Sequence, residues 1–292
     1  MKWLVITSDK ERESNVLKSI DVTFSNSTIY FFHPNSFDCS LALEIMPSID
    51  CCVILEKSET SFILFLLGWL VGRNIQTFSL QETTNALVCE AAHFHSFDDS
   101  SALKAYLIEN RCEIIREVNR RKSWLYLFKK GMSLTVSDFA RYIEKEDIDV
   151  CTRYMYAGIS LDSRDKDGTP LLNIACRNQS AVMVEWLLKN GASVDPVSED
   201  RGYTPLMDAV WKGNLKIASI LIERGADVNK MNKEGQTMII LAVGANRSDI
   251  CRLLVENGAD VDFEDGMGMS AYAYARLFKK QDVLAVLEKY HK

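Results

Sequence analysis

The chain has little of what most catalytic and membrane proteins need. Only four of its 292 residues are histidine, and none sits in the nucleophile context that a hydrolytic triad requires. Its eight cysteines include no C-x-x-C pair, and Cys51 and Cys52 are adjacent. They read as free thiols of a reducing compartment, not as a disulfide or zinc framework. No apolar stretch exceeds Phe62 to Val71, about half of the roughly 20 residues that cross a bilayer. Met1 to Asp9 carries too short an apolar run for a signal peptide. Positive charge is not in excess either: 34 Lys and Arg stand against 40 Asp and Glu, a net charge of −6. That balance argues against general affinity for nucleic acid or an anionic membrane. The expectation is a cytoplasmic protein with neither as its partner.

What is present is internal repetition. At 47% hydrophobic and 25% charged residues, the composition is that of an ordinary soluble protein of one or two domains. The clearest unit is Tyr203 to Asn229, YTPLMDAVWKGNLKIASILIERGADVN. Its tail recurs as GASVD from Gly191 and GADVD from Gly258, with a weaker copy, GISLD, from Gly158. The glycines of these tails are 33, 34 and 33 residues apart. Self-similarity at that period marks a stacked array in which each unit buries its apolar face only against its neighbours. Pro205 suits the first turn of a helix, where its missing N–H would have no intrahelical partner, and Thr204 is placed to cap it. Gly213 is placed to end that helix, and Gly225 a second one whose apolar side holds Ile217, Ile220, Leu221 and Ile222.

The pattern resembles the ankyrin family over about 133–292. The resemblance implies an all-α solenoid of helix pairs, with finger-like turns between units and first helices that line a concave face. A degenerate first repeat and about four further units are expected, the last a cap. Several positions depart from the family pattern. Its His after Thr-Pro-Leu is read here as Leu172, Met207 and Ile240, and the third unit begins Thr237-Met238 without proline. Asn246 replaces a helix-ending glycine. The first finger reads one residue short at Gly168-Thr169, and the second one residue long between Val194 and Gly202.

Residues 1–111 read differently. Strand patterns at Lys2 to Thr7, Ser27 to Phe32, Asp50 to Leu55, Asn74 to Leu80 and Ala86 to Phe94 alternate with helical ones at Asp9 to Ile20, Phe37 to Ile49, Ser61 to Arg73 and Asp98 to Arg111. Such alternation predicts an α/β domain with a parallel sheet covered on both faces. The pattern around Asp50 to Leu55 and Thr60 to Trp69 is similar to flavodoxin-like domains that include the nucleoside 2-deoxyribosyltransferases and Toll/interleukin-receptor-like proteins. In the transferases the helix after the third strand carries a nucleophilic Glu. Aligned on Gly68 and Trp69, that position is Leu66, which can neither attack an anomeric carbon nor stabilise an oxocarbenium-like centre. No catalytic residue and no cofactor are therefore expected.

Other chemistry is weak. The junctions at Thr7 to Asp9, His33 to Asn35 and Glu56 to Glu59 share the sheet edge where doubly wound folds bind ligands, but none is glycine-rich, and Asp9, Glu56 and Glu59 would repel phosphate. Cys89, His93 and His95 would share one strand face, with Asp98 as a fourth ligand, yet neighbours on one strand splay poorly around a tetrahedral zinc; no metal is expected. A connecting helix spans 112–132. Its basic run Arg116, Arg120, Arg121, Lys122, Lys129 and Lys130, with Trp124 and Tyr126, reads as a solvated face or as partners for acids nearby.

The fingers and inner-helix ends are the stronger candidates. The resemblance makes Asp200, Arg201, Tyr203, Lys233, Glu234, Gln236, Met267 and Met269 candidate finger contacts, and Arg177, Trp211 and Lys212 candidate contacts on the groove. Tyr203 and Trp211 are expected to be exposed aromatic anchors. The reading is a protein-interaction module with a protein partner and an inactive α/β domain. The alternative is a nucleotide- or NAD-processing domain whose repeats recruit the target.

Overall fold

A computed structural model describes residues 1–7, 10–32, 45–55, 66, 69–70, 73–79 and 94–291. The chain divides into two units, Met1–Lys122 and Ser123–Lys292.

Among the described residues the first unit has five strands: β1 (Lys2–Ile6), β2 (Thr28–Phe32), β3 (Cys51–Ile54), β4 (Gln76–Ser79) and β5 (Phe94–Ser96). All adjacent pairs are parallel, and the spatial order is β2-β1-β3-β4-β5, the flavodoxin-like order. Side chains alternate between the two faces of a strand. Trp3, Val5, Cys51 and Val53 therefore join one core, and Leu4, Ile6, Cys52 and Ile54 the other. Helices α1 (Lys10–Thr23), α2 (Ser100–Glu109) and α3 (Arg111–Lys129) supply Ile20, Leu103, Leu107 and Ile114 to the first of these cores. The strand paired with β4 is Phe94–Ser96, which meets the expected stretch at Phe94; residues 86–93 of that stretch lie outside the described ones. Most of the helices expected at Phe37 to Ile49 and Ser61 to Arg73 lies outside them too. At the start of β3, Asp50 is buried and satisfied by the Lys2 N–H at 2.9 Å, Lys122 Nζ at 2.6 Å and an Arg121 amino group at 3.5 Å.

The second unit stacks five helix pairs: α4 and α5 (Val136–Glu144, Ile148–Tyr156), α6 and α7 (Leu171–Arg177, Ala181–Lys189), α8 and α9 (Pro205–Lys212, Leu215–Glu223), α10 and α11 (Met238–Gly244, Ser248–Glu256), α12 and α13 (Ala271–Leu277, Gln281–Leu287). First helices pack on first helices along the array, and second helices on second ones from α7 to α13. One continuous core results, with Leu172, Leu206, Leu241 and Ala275 from the first layer and Leu187, Leu221, Leu254 and Leu287 from the second. It begins with Leu127 from the end of α3, packed with Phe139 and Tyr154 of the degenerate first repeat.

The α8 pair follows the sequence logic closely. The Thr204 hydroxyl accepts from the Met207 N–H, Pro205 occupies the first turn, and Gly213 closes the helix with φ 71°. The same helix-ending position holds Glu146, Gln179, Asn246 and Lys279, all with positive φ although none is glycine. The first finger corrects the expected register. Isolated bridges pair Arg164 with Pro170, Met231 with Thr237 and Glu264 with Ser270. Pro170 therefore stands at the cap position, Thr169 matches Gln236, and the finger is not short. Asn173, not Leu172, is the residue in register with Met207 and Ile240.

Candidate functional site

Each finger is held by one short polar side chain at its base. The Asp165 carboxylate accepts from the N–H groups of Asp167 (2.9 Å) and Thr169 (2.8 Å). Asn232 does the same for Glu234 and Gln236, and Asp265 for Met267 and Met269. This is the local turn chemistry that Asx residues favour. In the second finger Ser198 fills the role, and its hydroxyl accepts from the Tyr203 N–H at 3.1 Å because that finger is one residue longer. Fingers also join each other: the Glu199 N–H donates to the Gly168 carbonyl, and Lys233 Nζ donates to the Glu199 carbonyl.

Tyr203 is the main correction among the candidate residues. It is 5% exposed and part of the repeat core, with Arg201 stacked on its ring at 4.9 Å. The position just before the cap is covered in each finger: Thr169, in register with Tyr203, is buried, and Gln236 and Met269 are half-buried. Around Tyr203 lies a polar network. Asn173 Nδ2 donates to the Tyr203 carbonyl (3.0 Å) and to the buried Asp208 carboxylate (2.8 Å). Arg177 Nε reaches both Asp208 oxygens at 3.0 and 3.1 Å, while its terminal nitrogens hold Asp200 at 3.1 Å. Burial lifts the Asp208 carboxyl above its ordinary value, with Asn173 and Arg177 opposing. Burial also works upward on Asp200, but hydrogen bonds from Ser198 and Arg177 outweigh it and hold that carboxyl well below the usual carboxylate range. Arg177 is thus committed to fixing a finger against an inner helix.

The remaining candidates are placed at the surface. Lys233, Glu234 and Met267 are exposed at fingertips, with Gln236 and Met269 half-buried at the finger bases. Trp211 is 51% exposed at the end of α8, next to exposed Lys212. The repeat register from Trp211 runs to Gly244 and Leu277, and that from Lys212 to Ala245 and Phe278. Leu277 and Phe278 are 62% and 56% exposed, while Gly244 and Ala245 offer almost no side chain. A low floor of two small residues therefore separates Trp211 from a second apolar post. Two contacts tie these helix ends together: an Arg247 amino group donates to the Gly213 carbonyl (2.5 Å), and Lys280 Nζ to the Gly244 carbonyl (3.3 Å). Cations beside the C-terminal ends of α8 and α10 also complement their helix dipoles. Sequence reasoning missed Leu277 and Phe278 because the last unit reads as a cap; counting 33 residues on from Gly244 would have found them.

In the first unit, Leu66 is buried among Leu4, Ile6, Ile54, Leu70 and Ile75. The His95 ring packs against Phe78 and Tyr106, with centroids 5.8 and 5.1 Å away. Cys89 and His93 lie outside the described residues, as do Glu56, Glu59 and the junctions after Thr7 and Phe32. Among the described residues no group of His, Cys, Asp and Glu could hold a metal, and no helix is long and apolar enough to cross a membrane. Of the basic run, Arg121 and Lys122 serve Asp50, and Arg120 pairs with Glu117 at 2.8 Å.

Comparison with known proteins adds family context. The family model described as ankyrin repeats (3 copies) matches residues 139–232 and 224–291. An ankyrin repeat-containing protein of Treponema pallidum (strain Nichols) is 32% identical over 229 residues, 76% of this chain and 75% of that protein. That span exceeds the Ser123–Lys292 unit, so the similarity reaches into the first unit. An ankyrin repeat protein of Rickettsia felis is 27% identical over 177 residues, 61% of this chain and 68% of that protein. Palmitoyltransferase ZDHHC13 of Homo sapiens is 33% identical over 92 residues, 32% of this chain and 15% of that protein.

Proposed function

This chain belongs to the ankyrin repeat proteins, and from that premise we propose that its repeat half binds a protein partner across the ends of the first helices and the adjoining fingers. The observation that carries this reading is the exposed set Trp211, Leu277 and Phe278 around Gly244 and Ala245. Large apolar side chains left more than half in water add little to the fold, although the Phe278 ring also stacks on Tyr274 at 5.9 Å. Against a partner they bury rigid area, and aromatic anchors of this kind dominate binding energies. The α/β unit in this reading carries no chemistry: Leu66 stands where the similar transferases place a carboxylate, and its side chain belongs to a core.

Affinity capture from a cell extract tests the reading with the full chain, a Trp211→Ala variant and an Arg201→Ala/Lys233→Ala variant. A protein retained by the wild type and lost from the Trp211 variant supports it. Equal retention by all three would overturn it. For the first unit, the expected result is no turnover of NAD or of deoxynucleosides, and none gained by Leu66→Glu. Turnover above a heat-killed control, abolished by changing Glu56 or Glu59, is the contrary result.

A further inference from the structure

The helix ends that carry the exposed apolar residues are also a one-sign electrostatic edge. From the second helix pair onward, the five residues that close each first helix read CRNQS (176–180), VWKGN (210–214), VGANR (243–247) and RLFKK (276–280). They contain Arg177, Lys212, Arg247, Arg276, Lys279 and Lys280 and not one carboxylate, in a chain whose net charge is −6. The last three of these segments are joined in space, because Arg247 reaches Gly213 and Lys280 reaches Gly244 across consecutive repeats. Arg177 is occupied by Asp208 and Asp200, and Arg247 lies 3.4 Å from Asp249. Among the described residues no ion pair engages Lys212, Arg276 or Lys279, which are exposed beside Trp211, Leu277 and Phe278.

We propose that this edge receives an acidic protein segment that places large apolar side chains between Trp211 and Phe278, over Gly244 and Ala245, and sets its carboxylates against Lys212, Arg276 and Lys279. The assignment rests on the protein-binding reading above and adds the chemistry of the partner. Charge complementarity chooses the occupant: a cationic rim steers an anionic segment and selects against basic ones. Aromatic residues among cations also suit single-stranded nucleic acid. The neighbouring fingertips argue for a peptide instead. Glu199, Asp200, Glu234 and Glu264 are exposed there, and the Arg177 contact shows how close Asp200 lies to a helix end. A polyanion with charge on every unit would meet those acids, whereas a peptide can space its carboxylates to avoid them. The apolar floor likewise fits aliphatic side chains better than phosphodiester.

The test uses the full chain as bait for a library of random peptides displayed on phage, with selected peptides then synthesised and titrated by fluorescence anisotropy. The expected peptides combine Asp or Glu with Leu, Ile or Phe, and bind more weakly as salt rises. Affinity should fall about tenfold or more in Trp211→Ala and in Phe278→Ala, and again in Lys212→Glu/Lys279→Glu, with melting temperatures unchanged. Peptides that need Trp211 but carry no acidic bias, or that ignore the charge reversal, would overturn this inference and leave the protein-binding reading standing. Peptides indifferent to both aromatic variants would overturn the site itself. Failure to select any peptide would overturn the inference. So would binding of phosphatidylserine vesicles or a single-stranded oligonucleotide, in place of peptides, that Trp211→Ala removes.

Discussion

Two aromatic residues eight positions apart have opposite surroundings. Tyr203 is sealed in the core at the base of the second finger, while Trp211 stands half in water at the end of α8. Tyr203→Ala should therefore cost about 3 kcal/mol or more, in the range of aromatic core truncations. Trp211→Ala should stay within about 0.5 kcal/mol, as surface changes usually do. Chemical denaturation of both variants checks this; equal losses would place Trp211 in the core and remove it from the binding face. Sequence reasoning exposed both residues, because nothing local distinguishes them. The signal lies in the register: Tyr203 precedes the Thr204 cap and matches Thr169, Gln236 and Met269, which are buried or half-buried at the finger bases. A second residue-scale prediction concerns Asp265, whose carboxylate accepts from the Tyr274 hydroxyl at 2.8 Å. Burial works upward on it, but that bond and the N–H groups of Met267 and Met269 outweigh burial and hold it below its ordinary 3.8. Tyr274 is raised above 10.0, first by the same hydrogen bond. A lowered acid contributes stability above its unfolded value and loses it as pH falls through the lowered one. A raised tyrosine contributes fully below its unfolded value and loses that as pH rises through the raised one. Tyr274→Phe should thus lower the melting temperature at neutral pH and flatten its fall both below about pH 4 and above about pH 10. Parallel pH profiles for wild type and variant would show that the bond contributes nothing.

Between elements, much of the repeat was legible. Thr204, Pro205 and Gly213 announce the bounds of α8 because capping, proline and a left-handed residue each have one place in a helix. The counterparts Glu146, Gln179 and Lys279 were not legible, since these residue types carry no preference for the positive φ they adopt there. The degenerate first repeat needs help from outside its own helices. Leu127 of α3 is fully buried against it, and the Tyr154 hydroxyl donates to the Ser133 carbonyl at 3.0 Å. A fragment beginning at Leu134 lacks both and uncovers Phe139 and Tyr154. It should melt well below a fragment beginning at Ser123, by an amount matching the loss of about 2–5 kcal/mol for a deleted core leucine. Coincident melting curves would show that α3 contributes no cover.

At the scale of the molecule, alternating strand and helix patterns revealed a parallel sheet, and its order β2-β1-β3-β4-β5 emerges only from pairing across the sheet. The proposed binding face was half legible. Trp211 and Lys212 stand out in the sequence, but the small floor at Gly244 and Ala245 and the post at Leu277 and Phe278 gain meaning only when consecutive repeats are stacked in register. The central claim is that a protein partner lies across those helix ends. Hydrogen–deuterium exchange of the full chain, alone and with a protein that it retains in the capture experiment, tests this directly. The account predicts slowed exchange at the ends of α8, α10 and α12 and in the fingers beside them. Protection confined to Met1–Lys122, or to the second helices of the array, would contradict it.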